Sequence, residues 1–565
     1  MGSKSGAALL LAIGLLSAGC TQIPTSGPVV SGDPVRAQNQ PPYVAFGAAA
    51  PQEGEDVTGI VDGFVDAMSA YHPGYETAKM FLTPEAASTW EPTAQIIVHQ
   101  GTRPSIELVD DDRVQLSVTV AGTVMPDGSY VTTDADTTRT FELSMERVEG
   151  EWRIAEPPDG TIISEENFAR EFEAHDLCFF DPAFELFVPD PVYVPKNGQP
   201  ATLLAQMLLD GPSEWVGPAV STAFPESTTL SVSSVPVENR TATVELSEEA
   251  QETQPEEREL MAAQLGCTLG GMPEVGRVAM YSDGISLLGQ GAPPVGADDY
   301  ERYDSERIPA AGSLYAMRDS GMVVMHDDGS ADPVPGPLGG ATDVNEVAVD
   351  ASGSHAAAVA AGRTQLQIAE LGEGDVRDTV LEGVELASPV WDRQNLIWAV
   401  DRSEGRGELV AVDREGAPVQ VQAPELQELD ISRFAISPEG SRMVLVADGR
   451  AYVALVVRDG AEPNFVSVER LRPVGPAYQA LDVGWSGAGE IAVLAQNDEG
   501  ELPEVLILDI FGAVQAERGA VPGAVSLATG PDQPHMVSTE DGALYEHESR
   551  TRWINVADGW SPTYP

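Results

Sequence analysis

Basic residues are scarce in this chain. Its 565 residues contain 31 lysines and arginines against 89 aspartates and glutamates, so the formal net charge is −58. A field of this sign repels nucleic acids and anionic lipid surfaces, which excludes nucleic-acid binding and membrane attachment through a basic patch. We interpret the acidity as a source of solubility. Hydrophobic residues make up 42% of the chain, an ordinary share for globular protein, and the length predicts three or four domains.

Long apolar runs are also missing. After residue 20 no stretch approaches the roughly 18 consecutive apolar residues that a membrane-spanning helix needs. A shorter run occurs at the N-terminus, where Lys4 precedes the apolar residues 7–16 and three small residues lead to Cys20. As a helix this run covers about 15 Å, about half of the hydrocarbon core of a bilayer, so we do not expect it to persist as a span.

This N-terminal layout is typical of a bacterial lipoprotein signal, in which the peptidase needs small side chains and lipid attachment needs a nucleophilic sulfur. The sequence therefore predicts a signal peptide over residues 1–19. It also predicts an N-palmitoyl, S-diacylglycerol Cys20 that anchors the protein at the extracytoplasmic face of the cell membrane, since two acyl chains suffice for stable anchoring. Ser17 stands where a branched aliphatic residue is usual. The alternative is an ordinary cleaved signal with an incidental cysteine.

Cysteine is rare as well, with three in the whole chain. Cys178 and Cys267 remain after Cys20, and neither lies in a CxxC or other metal-type spacing, so we expect no zinc site. A disulfide is permitted outside the cytoplasm. The sequence leaves open whether Cys178 and Cys267 form a disulfide or remain unlinked buried thiols.

Catalytic motifs are absent. The seven histidines are scattered and none forms H-E-x-x-H, and no phosphate-binding glycine motif occurs. The residues around Ser486 fall one short of a G-x-S-x-G nucleophile elbow, and they occupy a repeat position where a turn explains the serine. The acidic run 110–112 lacks the alternating ligands and closing glutamate of a calcium loop, so it is interpreted as a solvated turn. We therefore predict a non-enzymatic protein without cofactor or metal.

Two tryptophans could line a carbohydrate groove. Trp391 and Trp485 each stand beside a predicted repeat turn. Their fixed place in the repeat favours core packing over sugar binding.

The chain divides into four segments after the signal peptide. Residues 20–53 are predicted to form a flexible linker, because prolines alternate with small residues and no periodic apolar face appears. Residues 54–170 are predicted to form an α+β domain, with helices over 57–68 and 75–81, a helix capped by Thr83, and alternating strands thereafter. Residues 175–295 form a second α+β domain, with an extended segment over 179–193, a hairpin from 228–237 and 240–246, and a helix over 256–269.

A repeat dominates residues 310–560. Short apolar strands followed by a serine or aspartate and a polar turn recur at intervals of 42 to 49 residues, the marked positions being Asp350, Asp392, Ser437 and Ser486. A period of this length with several strands per unit is the signature of β-propeller blades. The length predicts about six blades, with seven as the alternative. The fold class is therefore multidomain, with two α+β domains and an all-β C-terminal propeller.

The chain resembles the LpqB lipoproteins of actinobacteria over nearly its full length. The matching stretches are FLTPEAASTW at 81–90, GEWRI at 150–154, FVPDPVYV at 187–194 and SDGISLLG at 282–289. The segments LLDGP at 208–212 and TAFP at 222–225 look like the GerMN module of sporulation and germination proteins. The order of anchor, α+β domain, GerMN module and propeller is the most specific part of the resemblance.

The resemblance implies an accessory lipoprotein of the MtrA–MtrB two-component system. Its implied partner is the extracytoplasmic sensor part of the MtrB histidine kinase, and its implied role lies in envelope homeostasis and cell division. The alternative function is binding of glycan or peptidoglycan fragments in the envelope, or service as a scaffold for other surface proteins. The face of the propeller that binds a partner is not indicated by the sequence.

Overall fold

The computed structural model of the protein describes residues 48–565, apart from 73, 134–136, 308–311, 327–328, 373, 375, 459–463, 476–477 and 497–501. The predictions for the signal peptide, Cys20 and most of the linker lie outside the described residues. Gly47–Pro565 forms one compact unit. None of the helices in the described part of the chain has both the length and the apolar character needed to cross a membrane.

The N-terminal domain packs three helices on a seven-stranded sheet. The helices are α1 (Val57–Ser69), α2 (Glu76–Lys79) and α3 (Pro84–Thr89). The strands are β1 (Ile96–His99), β2 (Ser105–Asp110), β3 (Arg113–Val124), β4 (Tyr130–Thr132), β5 (Thr138–Val148), β6 (Glu151–Ile154) and β7 (Thr161–Ser164). The strand order is β6-β5-β3-β1-β7, and β2 and β4 also pair with β3. The predicted α+β arrangement is confirmed.

The helix signals of the sequence act as expected in this domain. Asp56 caps α1 by accepting a hydrogen bond from the Gly59 amide, and the Thr83 hydroxyl caps α3 by accepting one from the Ala86 amide at 3.2 Å. The apolar face of α1 is buried against the sheet. The predicted helix over 75–81 is shorter in the structure: it begins at Glu76, because Tyr75 has a left-handed backbone (φ 49°), and it ends at Lys79.

The second domain contains a hairpin, two helices and a small mixed sheet. After α4 (Glu165–Glu171) its elements are β8 (Phe172–Phe180), β9 (Phe187–Pro195), α5 (Pro200–Asp210), β10 (Val237–Glu238), β11 (Thr241–Leu246), α6 (Pro255–Gly270), β12 (Arg277–Ser282) and β13 (Ile285–Ser286). β11 and β12 run parallel in the order β10-β11-β12-β13. Both helices contribute buried residues to a common core with β8, β9 and β12.

Two predictions for this domain were wrong. Residues 179–193 are not one extended segment but the two strands of a hairpin, because the Asp181 carboxylate accepts hydrogen bonds from the Glu185 and Leu186 amides and closes a turn between them. In the predicted hairpin of 228–237 with 240–246, only Val237–Glu238 is strand on the first side. Its turn lies at Asn239 and Arg240, both with positive φ, so Arg240 belongs to the turn and not to the second strand as predicted.

The C-terminal region is a six-bladed propeller in the described residues. Blade 1 contains β14 (Leu314–Arg318), β15 (Gly321–Met325), β16 (Ala331–Pro333) and the last strand of the chain, β37 (Trp560–Thr563). Blade 2 contains β17 (Val344–Val349), β18 (His355–Ala360), β19 (Gln365–Glu370) and β20 (Arg377–Glu382). Blade 3 contains β21 (Ala387–Trp391), β22 (Ile397–Asp401), β23 (Glu408–Val412) and β24 (Pro418–Gln422).

The remaining three blades follow the same order. Blade 4 contains β25 (Ile431–Ile436), β26 (Arg442–Ala447), β27 (Arg450–Arg458) and β28 (Phe465–Pro473). Blade 5 contains β29 (Gln479–Trp485), β30 (Glu490–Gln496), β31 (Glu504–Asp509) and β32 (Val514–Ala520). Blade 6 contains β33 (Ala524–Ala528), β34 (Met536–Thr539), β35 (Ala543–Ser549) and β36 (Arg552–Asp558).

The propeller closes through its own terminus. β37 pairs with β14 and contacts the innermost strands β17 and β33 of the two neighbouring blades. The innermost strands β17, β21, β25, β29, β33 and β37 therefore form a continuous ring around the axis. Closure removes the exposed sheet edges that an open array would leave at the ends of the ring. Blades 3 and 4 are also joined at the rim, where β24 pairs in parallel with β28.

Candidate functional site

The repeat positions singled out in the sequence lie in equivalent turns. Asp350, Asp392, Ser437 and Ser486 each follow the innermost strand of a blade. The Asp350 carboxylate accepts hydrogen bonds from the Ser354 and His355 amides at 2.8 and 2.9 Å. The backbone amide of Ser486 donates to the Glu490 carbonyl at 3.0 Å. These side-chain and backbone hydrogen bonds stabilise the turns. A turn position in the repeat is the interpretation made above for Ser486.

Both tryptophans are engaged between blades. The Trp391 indole donates to the Ala348 carbonyl, and the Trp485 indole donates to the Ala435 carbonyl, each at 3.2 Å. In both pairs the acceptor lies on the innermost strand of the preceding blade. Trp485 is also covered by the guanidinium of Arg442, whose central carbon lies 4.9 Å from the ring centroid. Packing and hydrogen bonding thus occupy both indoles.

The acidic run 110–112 forms the turn between β2 and β3. The Arg113 guanidinium hydrogen-bonds the Asp110 carboxylate and lowers its pKa below the usual value. Among the described residues, no group of three or more His, Cys, Asp or Glu side chains is placed to hold a metal ion.

Cys178 and Cys267 are joined in the structure. Their Cα atoms are 6.0 Å apart, and the bond links β8 to α6 in the core of the second domain. The same two elements share a polar contact, since the Cys178 amide donates to the Thr268 hydroxyl at 2.9 Å. A crosslink over a sequence separation of 89 residues restricts the unfolded chain and stabilises the fold.

A charged cluster that the sequence did not indicate lies at the propeller axis. Glu346, Arg433 and Asp482 sit beside bulges in the innermost strands of blades 2, 4 and 5. The Glu346 carboxylate accepts from the Ser388 amide at 2.7 Å, and the Asp482 carboxylate accepts from the Leu527 amide at 2.8 Å. Each carboxylate therefore ties its own blade to the next one around the ring.

Arginines balance this cluster electrostatically. Burial by itself would raise the pKa of Glu346, but Arg433 and Arg363 outweigh burial and hold that pKa below its usual value. The Arg363 guanidinium lies 2.6 Å from a Glu346 oxygen, and that of Arg433 lies 3.7 Å from it. No arginine in the described part of the chain forms such a close pair with Asp482, and burial raises the pKa of Asp482 to about 6 despite the attraction of Arg433. A network of mixed charge thus lies at the axis. Its charged groups pair with one another or accept hydrogen bonds from backbone amides of the next blade.

The second domain docks on the propeller through polar contacts. The Arg393 guanidinium pairs with the Glu185 carboxylate at 2.7 Å. The Ala488 amide donates to the Glu306 carboxylate at 2.7 Å, in the segment that leads into the propeller. The Trp215 indole donates to the Arg470 carbonyl at 2.7 Å.

Apolar packing reinforces this junction. Val188, Trp215, Val216 and Ala219 join a buried cluster with residues of blades 4 and 5. On the rim, the Phe511 ring lies 5.9 Å from the Tyr130 ring of the first domain and 5.7 Å from the Tyr193 ring of the second. All three folded domains meet at this point, so the propeller is a fixed part of one body.

A surface cleft of about 470 Å³ lies in the second domain, next to the segment that leads to the propeller. Its walls carry two arginines, Arg277 and Arg302, two acids, Glu259 and Asp299, and Tyr300. The remaining lining is aliphatic and rich in proline: Pro255, Leu287, Leu288, Ala292, Pro293, Pro294 and Val295. Burial raises the pKa of Tyr300 to about 12, so its hydroxyl stays protonated at neutral pH.

The folded body is that of a multidomain protein in which a six-bladed propeller is docked on two smaller α+β domains. Three family profiles match it: "Lipoprotein LpqB, N-terminal domain" over residues 50–169, "Sporulation and spore germination" over 176–288, and "Lipoprotein LpqB beta-propeller domain" over 321–565. The chain belongs to the LpqB family of lipoproteins.

Relatives match over nearly their whole length. Lipoprotein LpqB of Thermobifida fusca is 27% identical, with 98% of this chain and 97% of the relative covered. Lipoprotein LpqB of Streptomyces coelicolor is 28% identical, with 98% and 96% covered. Lipoprotein LpqB of Streptomyces avermitilis is 27% identical, with 98% and 96% covered. These matches therefore extend through all three folded domains of this chain.

Proposed function

We propose that this protein is a lipid-anchored accessory protein on the extracytoplasmic face of the cell membrane. It binds the sensor part of an MtrB-like histidine kinase without performing catalysis and thereby influences envelope homeostasis and cell division. The observation that carries this proposal is the docking of the propeller on both preceding domains, because it turns three domains into one rigid platform for a partner. Rigid blades hold variable loops in a common plane, which suits protein recognition.

Two observations support the location. The relatives carry the name lipoprotein, and Cys20 follows a signal of the lipoprotein type in this chain. The bond between Cys178 and Cys267 fits an oxidising compartment outside the cytoplasm, where disulfides form and persist. Anchoring both proteins in one membrane raises their effective concentration, so even weak contacts suffice for a complex.

Co-purification of the kinase tests the proposal. We expect tagged full-length protein, extracted from membranes with mild detergent, to recover the kinase. The matched control joins residues 1–53 of this chain to an unrelated soluble protein, so that it has the same anchor and no folded body. Equal recovery with this control, or no recovery with the full-length protein, would contradict the proposal. Deleting residues 310–565 is a poor substitute, because it uncovers Val188, Trp215 and Val216 in the remaining domains.

The cleft in the second domain favours a second candidate function, binding of peptidoglycan fragments. Arginine and carboxylate groups beside an aliphatic and aromatic wall fit a ligand that carries both charges and an apolar part. We expect muropeptides to release heat on titration into the full-length protein in detergent, and Arg277→Ala to abolish this heat. A titration at millimolar muropeptide with no heat above the detergent blank would remove this candidate.

A further inference from the structure

One end of the propeller is turned towards the other domains. Arg393 and Ala488, which contact Glu185 and Glu306, lie in turns between the first and second strands of blades 3 and 5. Phe511, which contacts Tyr130, lies in the turn between the third and fourth strands of blade 5. Both kinds of turn belong to the same end of the blades. The further polar contacts to these domains that involve Arg470 and Pro473 lie at the rim, on β28.

The opposite end, here called the open face, consists of two other sets of loops. One set joins the second and third strands within each blade, and the other joins the outermost strand of each blade to the innermost strand of the next. The described residues of these loops are 319–320, 334–343, 361–364, 383–386, 402–407, 423–430, 448–449, 474–475, 478, 502–503, 521–523, 540–542 and 559. The loop from blade 4 to blade 5 is not part of the open face, because Val474 is buried in the cluster that joins the propeller to Trp215 of the second domain.

Exposed carboxylates dominate the open face. Ten acidic residues in these loops are exposed: Asp319, Asp343, Glu385, Glu404, Glu425, Glu428, Asp430, Asp448, Glu540 and Asp541. The described loops contain three basic residues, Arg363, Arg402 and Arg406, and all three are half-buried. Each of these arginines is already paired with a carboxylate, namely Glu346, Asp430 and Glu428 respectively. The face therefore presents negative charge to solvent.

The turns at the other end of the blades also contain acidic residues. Asp350, Asp392 and Glu439 are buried there. Glu415 and Asp532 are the exposed carboxylates in the described residues of those turns.

Large apolar side chains accompany this charge. Val384 is 50% exposed and Leu502 is 53% exposed, and Val525, in β33 next to the loop 521–523, is 38% exposed. Protein interfaces combine an apolar centre with a polar rim, and complementary charge speeds the approach of the correct partner. Apolar residues among carboxylates therefore fit a partner with the opposite charge pattern.

We propose that the open face is the docking surface for a folded extracytoplasmic protein domain that presents basic residues around apolar ones. This inference rests on the proposed function, because it assigns a surface to the partner-binding role. A second copy of this chain does not fit, since two open faces would bring like charges together at short range. Nucleic acid and anionic lipid are repelled for the same reason.

Site-specific photocrosslinking in cells tests this assignment in the full-length lipidated protein. A photoreactive residue replaces Val384 or Leu502 on the open face. The matched controls are Val376 and Val514, which are 64% and 45% exposed and lie outside the open-face loops. We expect adducts with another extracytoplasmic protein from positions 384 and 502, and none from 376 and 514.

Charge reversal provides the second arm of the experiment. With the crosslinker at 502, Glu404→Lys combined with Glu540→Lys is expected to lower adduct formation by about tenfold, as reversal of interface charges slows association. The control pair Glu415→Lys and Glu517→Lys changes net charge equally outside the open face and is expected to alter the yield less than about twofold. An equal loss in both pairs would overturn the inference.

Identification of the adduct by mass spectrometry separates the two proposals. A kinase adduct from the open face supports both. An adduct with a different protein carrying a basic contact surface supports the open face and contradicts the kinase partnership. A kinase adduct from 376 or 514 supports the partnership and overturns the open face. Adducts between two copies of this chain, or none from 384 and 502, also overturn it.

Discussion

Cys20→Ala is expected to remove all acyl chains and release the folded body from the membrane. The apolar run before Cys20 is too short to hold the protein as a span, at roughly half the bilayer core. The chain has a strongly negative net charge, so electrostatic attraction to anionic lipid cannot replace the anchor. Metabolic labelling with radioactive palmitate and fractionation of cells and medium measure this effect.

A neighbouring substitution serves as the control for the anchor. Gln22→Ala leaves Cys20 and the small residues before it unchanged, so the label and the membrane location should both be retained. Wild-type protein without palmitate would favour the alternative of an ordinary cleaved signal. Membrane retention of unlabelled Cys20→Ala protein would show that another part of the chain holds it there.

Arg442→Met is expected to cause a large loss of stability in the propeller. Arg442 and Glu439 are fully buried, and their charged groups lie 2.6 Å apart. Arg442 also donates to the Ala488 carbonyl of the next blade at 2.7 Å and covers Trp485. Removing one partner leaves an uncompensated buried charge, which costs about 3–5 kcal/mol of the free energy of unfolding. Urea unfolding followed by tryptophan fluorescence measures it.

Two comparisons make this expectation specific. Arg552→Met breaks an exposed ion pair, in which the Arg552 side chain is 69% exposed and the Glu548 side chain is 42% exposed. This substitution should lower the free energy of unfolding by less than about 1 kcal/mol. Glu439→Leu combined with Arg442→Met removes both buried charges and should recover most of the loss, because neither charge is then left alone. Additive losses in the double variant would contradict the view that an unpaired charge causes the effect.

Local sequence signals predicted the elements that depend on local chemistry. Asp56 and Thr83 mark the starts of α1 and α3 because a capping side chain bonds amides within its own turn. The recurring Ser or Asp after four of the six innermost strands marked the blades because it closes a turn a few residues long. The predicted architecture of two α+β domains and a propeller was confirmed for this reason.

Local signals failed where a side chain interrupted an apparently regular segment. Residues 179–193 have the composition of a strand on both sides of Asp181, and the turn depends on that one carboxylate accepting two amides. The axial cluster of Glu346, Arg433 and Asp482 was not found either. These residues are far apart in the sequence and follow no common motif, and they meet because three innermost strands converge on one axis.

The amino-acid sequence by itself determined the predicted anchor at Cys20, the order of domains and the repeating period of the propeller, because each of these features depends on residues that are close together in the sequence. The tertiary structure decided the number of blades, the pairing of Cys178 with Cys267 and the docking of the second domain on blades 3 to 5. Ring closure by β37 joins the two ends of the propeller segment. Contacts of that range depend on how all the blades pack together, which no local pattern encodes.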